Sequence, residues 1–226
     1  MLRYQRNHDA ISEVEQAILA EKRVLVVGCG GLGGYVIECL ARVGVGHLRV
    51  VDGDVFEESN LNRQLLSSTM NLGRPKTLAA QQRIMAVNPM VEVQAIPTLL
   101  TVDNAEELLS GCDVAVDALD NIPDRLLLQQ AAKSAGIPMV HAAVTSWLGR
   151  VCVIKPGEDL LNILYPIETR NTGEEGLTSI LATSVAATAA FQAAETIKLL
   201  LSRPGLQGET LELDLLNMTV TKIKLI

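Results

Sequence analysis

The chain has 226 residues, a length typical of one α/β domain. Lys and Arg number 19 against 26 Asp and Glu, and the net charge of −7 comes with no basic run, so we expect neither nucleic acid nor a membrane surface as a partner. Apolar residues make up 48 % of the chain but aromatic residues only 3 %, which predicts an aliphatic core. The polar N-terminus resembles no secretory signal, and we expect a cytoplasmic protein.

The predicted elements alternate between strand and helix from residue 23 to residue 143. Short apolar runs predict the strands, and helical spacing of apolar residues predicts the helices between them. The strands are expected at 24–27, 48–51, 91–96, 114–116 and 139–143, and the helices at 32–43, 76–87, 105–109 and 125–135. This alternation predicts a Rossmann-like, doubly wound, mostly parallel sheet with right-handed crossovers.

The pattern changes after residue 149. A strand at 149–155 is followed by the segment 157–177, which shows no clear period and is long enough to be functional or mobile. A helix at 179–201 is rich in Ala, Ser and Thr, which permits close packing on the sheet or on a second subunit. Residues 211–215 and 219–225 predict antiparallel C-terminal strands that extend the sheet.

A glycine-rich turn follows the first predicted strand and precedes the first predicted helix. Gly28, Gly30 and Gly33 satisfy G-x-G-x-x-G, and Asp52 ends the next strand, where a ribose hydroxyl would lie. In this context nucleotide binding is favoured over a purely structural glycine turn. The motif does not distinguish NAD from ATP.

Three polar clusters are predicted at the carboxyl edge of the sheet, at 52–64, 73–76 and 120–125. Lys76 begins a predicted helix, where the helix dipole disfavours a cation unless an anion such as a polyphosphate compensates. Asp120 is a carboxylate beside the expected phosphate site, which indicates Mg²⁺. Each cluster alone could be a polar loop or a helix cap, but their shared edge favours a phosphate-binding function.

These motifs resemble the ThiF/MoeB/HesA family, the prokaryotic relatives of ubiquitin-activating enzymes. The matching runs are Arg-Tyr-Gln-Arg at 3–6, Gly-Cys-Gly-Gly-Leu-Gly at 28–33, Ser-Asn-Leu-Asn-Arg-Gln at 59–64, Gly-Arg-Pro-Lys at 73–76 and Asp-Asn-Ile-Pro-Asp-Arg at 120–125. The resemblance implies an adenylyltransferase that uses ATP and Mg²⁺ to activate the C-terminal glycine carboxylate of a ubiquitin-like sulfur-carrier protein ending in Gly-Gly. It also implies a homodimer.

The resemblance implies a role for each matching residue. Arg63 and Lys76 would contact the phosphates, Asp120 would hold Mg²⁺, and Arg6 would reach the phosphates from the partner subunit. The remaining nucleotide-binding residues would be Gly28, Gly30, Gly31, Gly33, Asp52, Asp54, Ser59, Asn60, Gln64 and Asn121. The three histidines are scattered and are given no chemistry.

The resemblance also implies one ThiF-type adenylation domain over 1–226. Within it, residues 1–22 would form an N-terminal arm and helix, and 23–143 the nucleotide-binding half. Residues 149–226 would form the carrier-binding half, with a crossover loop at 157–177.

The chain departs from many family members in its cysteines. Cys29, Cys39, Cys112 and Cys152 form no C-x-x-C pair, so no zinc is expected, and each is interpreted as a buried, reduced thiol. No cysteine lies in 157–177, which predicts adenylation without a thioester or persulfide on this chain.

Two alternative functions remain open. The first is a non-catalytic nucleotide-binding member of the family, which the missing cysteines favour. The second is an NAD-dependent oxidoreductase, which the glycine motif permits but which leaves Arg63, Lys76 and Asp120 unexplained.

Overall fold

The computed structural model describes residues 2–167 and 179–226, and its described strands form one mixed sheet of eight. The strands are β1 (Arg23–Val27), β2 (His47–Val51), β3 (Glu92–Ile96), β4 (Val114–Asp117), β5 (Met139–Thr145), β6 (Leu148–Ile154), β7 (Glu209–Asp214) and β8 (Thr219–Lys224). Their spatial order is β3-β2-β1-β4-β5-β6-β7-β8. Strands β1 to β5 pair in parallel, and β6, β7 and β8 add antiparallel pairs. The predicted fold class is confirmed.

Helices lie on both faces of this sheet. They are α1 (Glu13–Glu21), α2 (Gly31–Val43), α3 (Lys76–Val87), α4 (Ala105–Leu109), α5 (Ile122–Ala135), α6 (Leu160–Leu164) and α7 (Ala182–Leu200), with 3-10 turns at Leu2–Asn7 and Glu58–Asn60. Within β1, Val24 and Val26 pack against the core under α2, α3 and α7, whereas Leu25 and Val27 pack against α4, α5 and α6. Alternate residues of a strand point to opposite faces, so the apolar run of β1 is buried on both sides.

The order in which the chain adds strands to the sheet reverses at β1. The chain builds outward from β1 through β2 to β3, then crosses back to place β4 on the other side of β1. In open α/β sheets this arrangement leaves a crevice beyond the carboxyl ends of the two central strands. The site is therefore expected where β1 and β4 end.

The boundaries of most elements agree with the sequence, and the differences have local causes. Helices α3 and α4 have the predicted bounds, and Pro75 immediately precedes α3. Helix α5 begins earlier than predicted, because Asn121 caps it. Helix α7 begins three residues late, because Ile180 forms a β-bridge with Ser146 instead of a helical turn.

Within the predicted crossover loop 157–177, the structure contains helix α6, which the sequence pattern did not predict. Residues 168–177 of that loop lie outside the described residues. The small residues of α7 serve contact with the sheet and with α2. A Cβ added to Gly149 of β6 would lie 1.9 Å from Thr188 Oγ1 of α7, and one on Gly31 would lie 3.3 Å from Val185 Cγ1.

Among the described residues, none of the helices combines the length and the apolar character that crossing a bilayer requires.

Candidate functional site

The glycine-rich turn joins β1 to α2 and lies against the end of β4. Gly28 has a φ of 98°, and a Cβ there would lie 2.4 Å from the carbonyl oxygen of Ala118. A Cβ on Gly33 would lie 1.8 Å from the carbonyl oxygen of Gly28. These two glycines are therefore required by packing alone. Gly30 differs, because a Cβ there would meet nothing closer than 3.5 Å, and Gly31 is the first residue of α2.

Asp52 connects this turn to the loop after β2. Its Oδ2 accepts a hydrogen bond of 2.7 Å from the backbone amide of Cys29, and its Oδ1 accepts one of 2.8 Å from the amide of Asp54. Burial raises the pKa of Asp52, and these two amide hydrogen bonds and Lys76 oppose that rise. A carboxylate oxygen can accept more than one hydrogen bond, so both oxygens could also accept from a ribose.

Lys76 begins α3 with its side chain buried. Its Nζ lies 2.8 Å from Asp54 Oδ2, and its backbone amide donates 3.0 Å to the carbonyl oxygen of Asp54. The sequence predicted that a polyphosphate would compensate this cation at a helix start. In the structure the Asp54 carboxylate, which is exposed, supplies that negative charge.

The loop between β2 and α3 carries the other predicted phosphate contacts. Asn60 is buried, and its Oδ1 accepts from the amide of Glu57. Arg63 is half-buried and donates to the carbonyl oxygen of Ser59 at 3.0 Å. Ser59 itself is exposed. Gln64 is buried beside Gly30, and its Oε1 has no hydrogen-bond partner within residues 2–167 and 179–226. A buried acceptor beside the turn fits a ligand that donates a hydrogen bond.

Asp120 and Asn121 follow β4. The Asp120 side chain is exposed, whereas Asn121 caps α5 by accepting from the amide of Asp124 at 2.9 Å. Asn121 therefore has the helix-cap role that the sequence left open as an alternative.

Arg6 lies at the opposite edge of the sheet. The side chain of its neighbour Asn7 donates to the carbonyl oxygen of Val43, at the C-terminal end of α2, whereas the glycine turn precedes the first residue of that helix. A helix of this length places about 20 Å between the two ends. The chain thus does not bring Arg6 to its own glycine turn.

Sequence reasoning missed a buried polar cluster beneath the Asp120 loop. His141 of β5 lies 2.7 Å from Asp117 of β4, and Arg125 donates to the hydroxyl of Tyr165 at 2.9 Å. The parallel register pairs Asp117 with His141, so a correct alignment of β4 with β5 was the available signal.

The donor set fits Mg²⁺ better than a metal that needs a protein cage. Among residues 2–167 and 179–226, no group of three or more His, Cys, Asp or Glu residues could hold a metal ion. Magnesium commonly takes one or two carboxylates and completes its shell with phosphate oxygens and water. The exposed Asp120 carboxylate fits that requirement.

The four cysteines are free thiols, and Cys29, Cys112 and Cys152 are buried as the sequence predicted. Cys39 is only half-buried. Burial raises the pKa of Cys152 to about 12, and it raises the pKa of the other three as well. None of these thiols has the lowered pKa that a nucleophilic cysteine needs.

The fold and this edge define a Rossmann-like α/β domain with a glycine-rich turn at its topological switch point. The model of the ThiF family matches residues 4–226, and the chain belongs to that family. The predicted family resemblance is confirmed.

Sequence similarity to known proteins covers most of the chain. The chain is 37 % identical over 222 residues to the SAMP-activating enzyme E1 of Haloferax volcanii, covering 96 % of this chain and 82 % of that protein. It is 46 % identical over 138 residues to the sulfur carrier protein adenylyltransferase of Thermus thermophilus, covering 61 % of this chain and 51 % of that protein. The match therefore spans only about half the length of the Thermus enzyme.

Solved structures show the same fold. MccB of E. coli with ATP superposes with a TM-score of 0.83 over 99 % of this chain and 71 % of MccB, at 24 % identity. A crystal structure of PaaA superposes with a TM-score of 0.81 over 94 % of this chain and 76 % of PaaA, at 23 % identity.

Proposed function

We propose that this chain is an ATP-dependent adenylyltransferase that activates the C-terminal glycine carboxylate of a ubiquitin-like sulfur-carrier protein. One observation carries the proposal. Asp52 accepts from an amide of the glycine turn, Gln64 lies against Gly30, and Asp120 lies two residues after Ala118, whose carbonyl oxygen faces Gly28. These predicted residues therefore share the carboxyl edge of β1, β2 and β4. Membership of the ThiF family and relatives named as adenylyltransferases support it.

The residue types suit this reaction. An oxygen of the glycine carboxylate forms a bond to the α-phosphorus of ATP, and the bond from that phosphorus to the bridging oxygen breaks to release pyrophosphate. The nucleophile is already ionised at neutral pH, so no base is needed. The requirement is neutralisation of charge on the phosphates and in-line positioning, which Arg63 and Lys76 would supply.

Asp120 would hold Mg²⁺, which neutralises charge on the triphosphate when bound. Asp52 would accept from the ribose hydroxyls, and the backbone of Gly30 and Gly31 would approach the phosphates at the N-terminus of α2. Arg6 lies far from this edge in its own chain, so the role implied for it requires a homodimer in which the partner copy brings Arg6 to the site.

The proposal includes the layout of the chain and its location. Residues 1–226 would form one adenylation domain, with a nucleotide-binding half over 23–143 and a carrier-binding half over 149–226. The chain would act in the cytoplasm, where free thiols such as its four cysteines persist.

Exchange of labelled pyrophosphate into ATP tests the proposal. We expect exchange that requires a carrier protein ending in Gly-Gly, and its loss in Asp120→Ala and Arg63→Ala while both variants stay folded. Glu21→Ala removes an exposed carboxylate next to the opposite edge of the sheet and serves as the control. Undiminished exchange in Asp120→Ala would remove the role of that residue. Nucleotide binding without exchange, across several carriers, would support the non-catalytic alternative instead.

A further inference from the structure

The backbone of Leu119, the residue before Asp120, is held by two buried side chains. Its amide donates to Asp117 Oδ1 at 3.0 Å. Its carbonyl oxygen accepts from Arg125 twice, from Nη2 at 2.7 Å and from Nε at 3.2 Å. Both polar groups of one loop residue are thus fixed by side chains of β4 and α5.

The same two side chains are joined to each other on the far side. The second oxygen of Asp117 lies 2.7 Å from His141 Nδ1, and His141 Nε2 lies 3.2 Å from the hydroxyl of Tyr165. That hydroxyl accepts from Arg125 Nη1 at 2.9 Å. The hydrogen bonds therefore form a closed ring through Asp117, His141, Tyr165, Arg125 and the backbone of Leu119, which we call the Leu119 ring.

A proton arrangement with a neutral His141 satisfies every bond in the Leu119 ring. A guanidinium group only donates and a carboxylate only accepts, so the direction of donation runs from Arg125 to Asp117. Tyr165 then donates to His141 Nε2, and a neutral His141 donates from Nδ1 to Asp117. Burial lowers the pKa of His141 despite the neighbouring carboxylate of Asp117, which agrees with a neutral ring.

We expect the Leu119 ring to be rigid because its groups are buried and hydrogen-bonded. Asp117 and His141 are both fully buried, and Arg125 is 9 % exposed. The opposite charges of Asp117 and Arg125 balance, and each group of the ring has a partner, which is the condition under which a buried polar network stabilises one conformation. The ring also ties four elements together, because its side chains come from β4, β5, α5 and the residue after α6.

We propose that the Leu119 ring positions the Asp120 carboxylate by fixing the peptide that precedes it. Asp120 itself is exposed, and within residues 2–167 and 179–226 its side chain accepts only an exposed 3.5 Å hydrogen bond from Asn121 Nδ2, so its place relative to the glycine turn depends on the backbone on either side. Asn121 anchors the following residue as the cap of α5, and the Leu119 ring anchors the preceding one. His141, Tyr165 and Arg125 are thus positioning residues. The link to Mg²⁺ rests on the proposed function.

Amide hydrogen exchange in the nucleotide-free protein tests the first half of this proposal. Tyr165→Phe keeps the aromatic ring but removes the hydroxyl that joins His141 to Arg125. We expect the Leu119 amide to exchange about threefold to tenfold faster, the range expected for the loss of a hydrogen bond. His141→Asn, which retains a donor for Asp117 but cannot reach Tyr165, should act in the same direction and covers the case in which Tyr165→Phe fails to fold.

Lys133→Met is the matched control. Lys133 Nζ lies 2.6 Å from Asp159 Oδ2, so this variant loses a contact between α5 and the start of α6 without touching the Leu119 ring. Its Leu119 amide should exchange at the rate of the unmutated protein. Equal acceleration in Lys133→Met and Tyr165→Phe would overturn the proposal, since the effect would then come from general loosening of α6.

Magnesium titration of pyrophosphate exchange tests the second half. In Tyr165→Phe we expect the Mg²⁺ concentration at half-maximal rate to rise about threefold to tenfold, with a smaller change in the maximal rate at saturating Mg²⁺. An unchanged Mg²⁺ requirement with a more mobile Leu119 would overturn the positioning role. If the unmutated protein shows no pyrophosphate exchange, the proposed function fails. The amide hydrogen exchange result still decides whether the Leu119 ring holds the loop.

Discussion

The buried ammonium group of Lys76 lies 2.8 Å from the exposed carboxylate of Asp54, at the start of α3. A cation at this end of a helix opposes the helix dipole, and a buried cation needs a nearby negative charge. Asp54 meets both requirements in the chain without nucleotide. An incoming triphosphate would bring its own negative charge to the same ammonium group, so Asp54 and the phosphates would compete for Lys76.

The competition predicts opposite effects of one substitution on stability and on binding. Asp54→Asn should lower the free energy of unfolding of the unliganded chain by about 1 kcal/mol, since the partner charge is lost at a largely exposed position. The same change should tighten ATP binding in the presence of EDTA, since one repelling carboxylate is gone. Urea denaturation and titration calorimetry measure the two effects. Asp113→Asn, in an ion pair with Lys22 at the opposite edge, is the control and should leave ATP binding unchanged.

Removing the ammonium group should separate catalysis from folding. Lys76→Met retains most of the buried side-chain volume, so we expect a folded protein whose rate of pyrophosphate exchange falls by about a hundredfold or more. Lys22→Met, which breaks the ion pair with Asp113, should retain the full rate. A rate within a few-fold of the unmutated protein in Lys76→Met would contradict the phosphate-binding role.

Two glycines of the turn should respond differently to alanine. A Cβ on Gly33 would lie 1.8 Å from a backbone oxygen, and Gly33→Ala should therefore destabilise the fold by more than about 2 kcal/mol. Gly30→Ala introduces only ordinary contacts, and should keep the fold while weakening ATP binding, because phosphates need close approach to the backbone there. Urea denaturation and calorimetry distinguish these outcomes. Equal loss of stability in both variants would mean that packing requires a glycine at position 30 as well as at position 33.

Much of the parallel half of the fold could be predicted from the sequence because its signals are local. Apolar runs buried on both faces mark β1 and β4, and the glycine turn marks the start of α2. Elements with non-local causes were placed less well. The start of α7 was predicted three residues too early because Ile180 pairs with Ser146, a contact across 34 positions that helical spacing does not reveal.

The site shows the same division. The sequence could place Asp52, Lys76 and Asp120 at one edge of the sheet because each follows a strand or begins a helix there, and their roles stay predictions. The partner of Lys76 was predicted to be phosphate, whereas Asp54 occupies that role in the chain, since composition alone does not say which acid reaches which base. His141 was given no chemistry, because its contact with Asp117 exists only through the register of β4 with β5.

The thiols should react in an order set by burial. Native protein at pH 8 should react slowly with a thiol reagent at all four cysteines, because burial raises the pKa of each. Cys39, which is half-buried, should react first, and Cys152, whose pKa is raised to about 12, should react only on unfolding. Mass spectrometry of peptides after timed labelling gives the order. Fast labelling of Cys152 in the native protein would contradict its burial.

Glu38 should make stability depend on pH in the acidic range. Burial alone would raise the pKa of Glu38, but hydrogen bonds from Arg83 and Arg42 outweigh it and hold the pKa below the ordinary value of 4.5. A carboxyl group with a lower pKa in the folded state than in the unfolded state stabilises the fold above the unfolded pKa, and this contribution is lost as the pH falls through the folded pKa.

We therefore expect Glu38→Gln to lower the free energy of unfolding by about 1 to 2 kcal/mol at pH 7 and to have progressively less effect below pH 4.5. Urea denaturation at several pH values measures this, with Glu21→Gln as an exposed control. A difference between Glu38→Gln and the unmutated protein that stays constant down to pH 3 would mean that the two arginines do not lower the pKa of this carboxyl group.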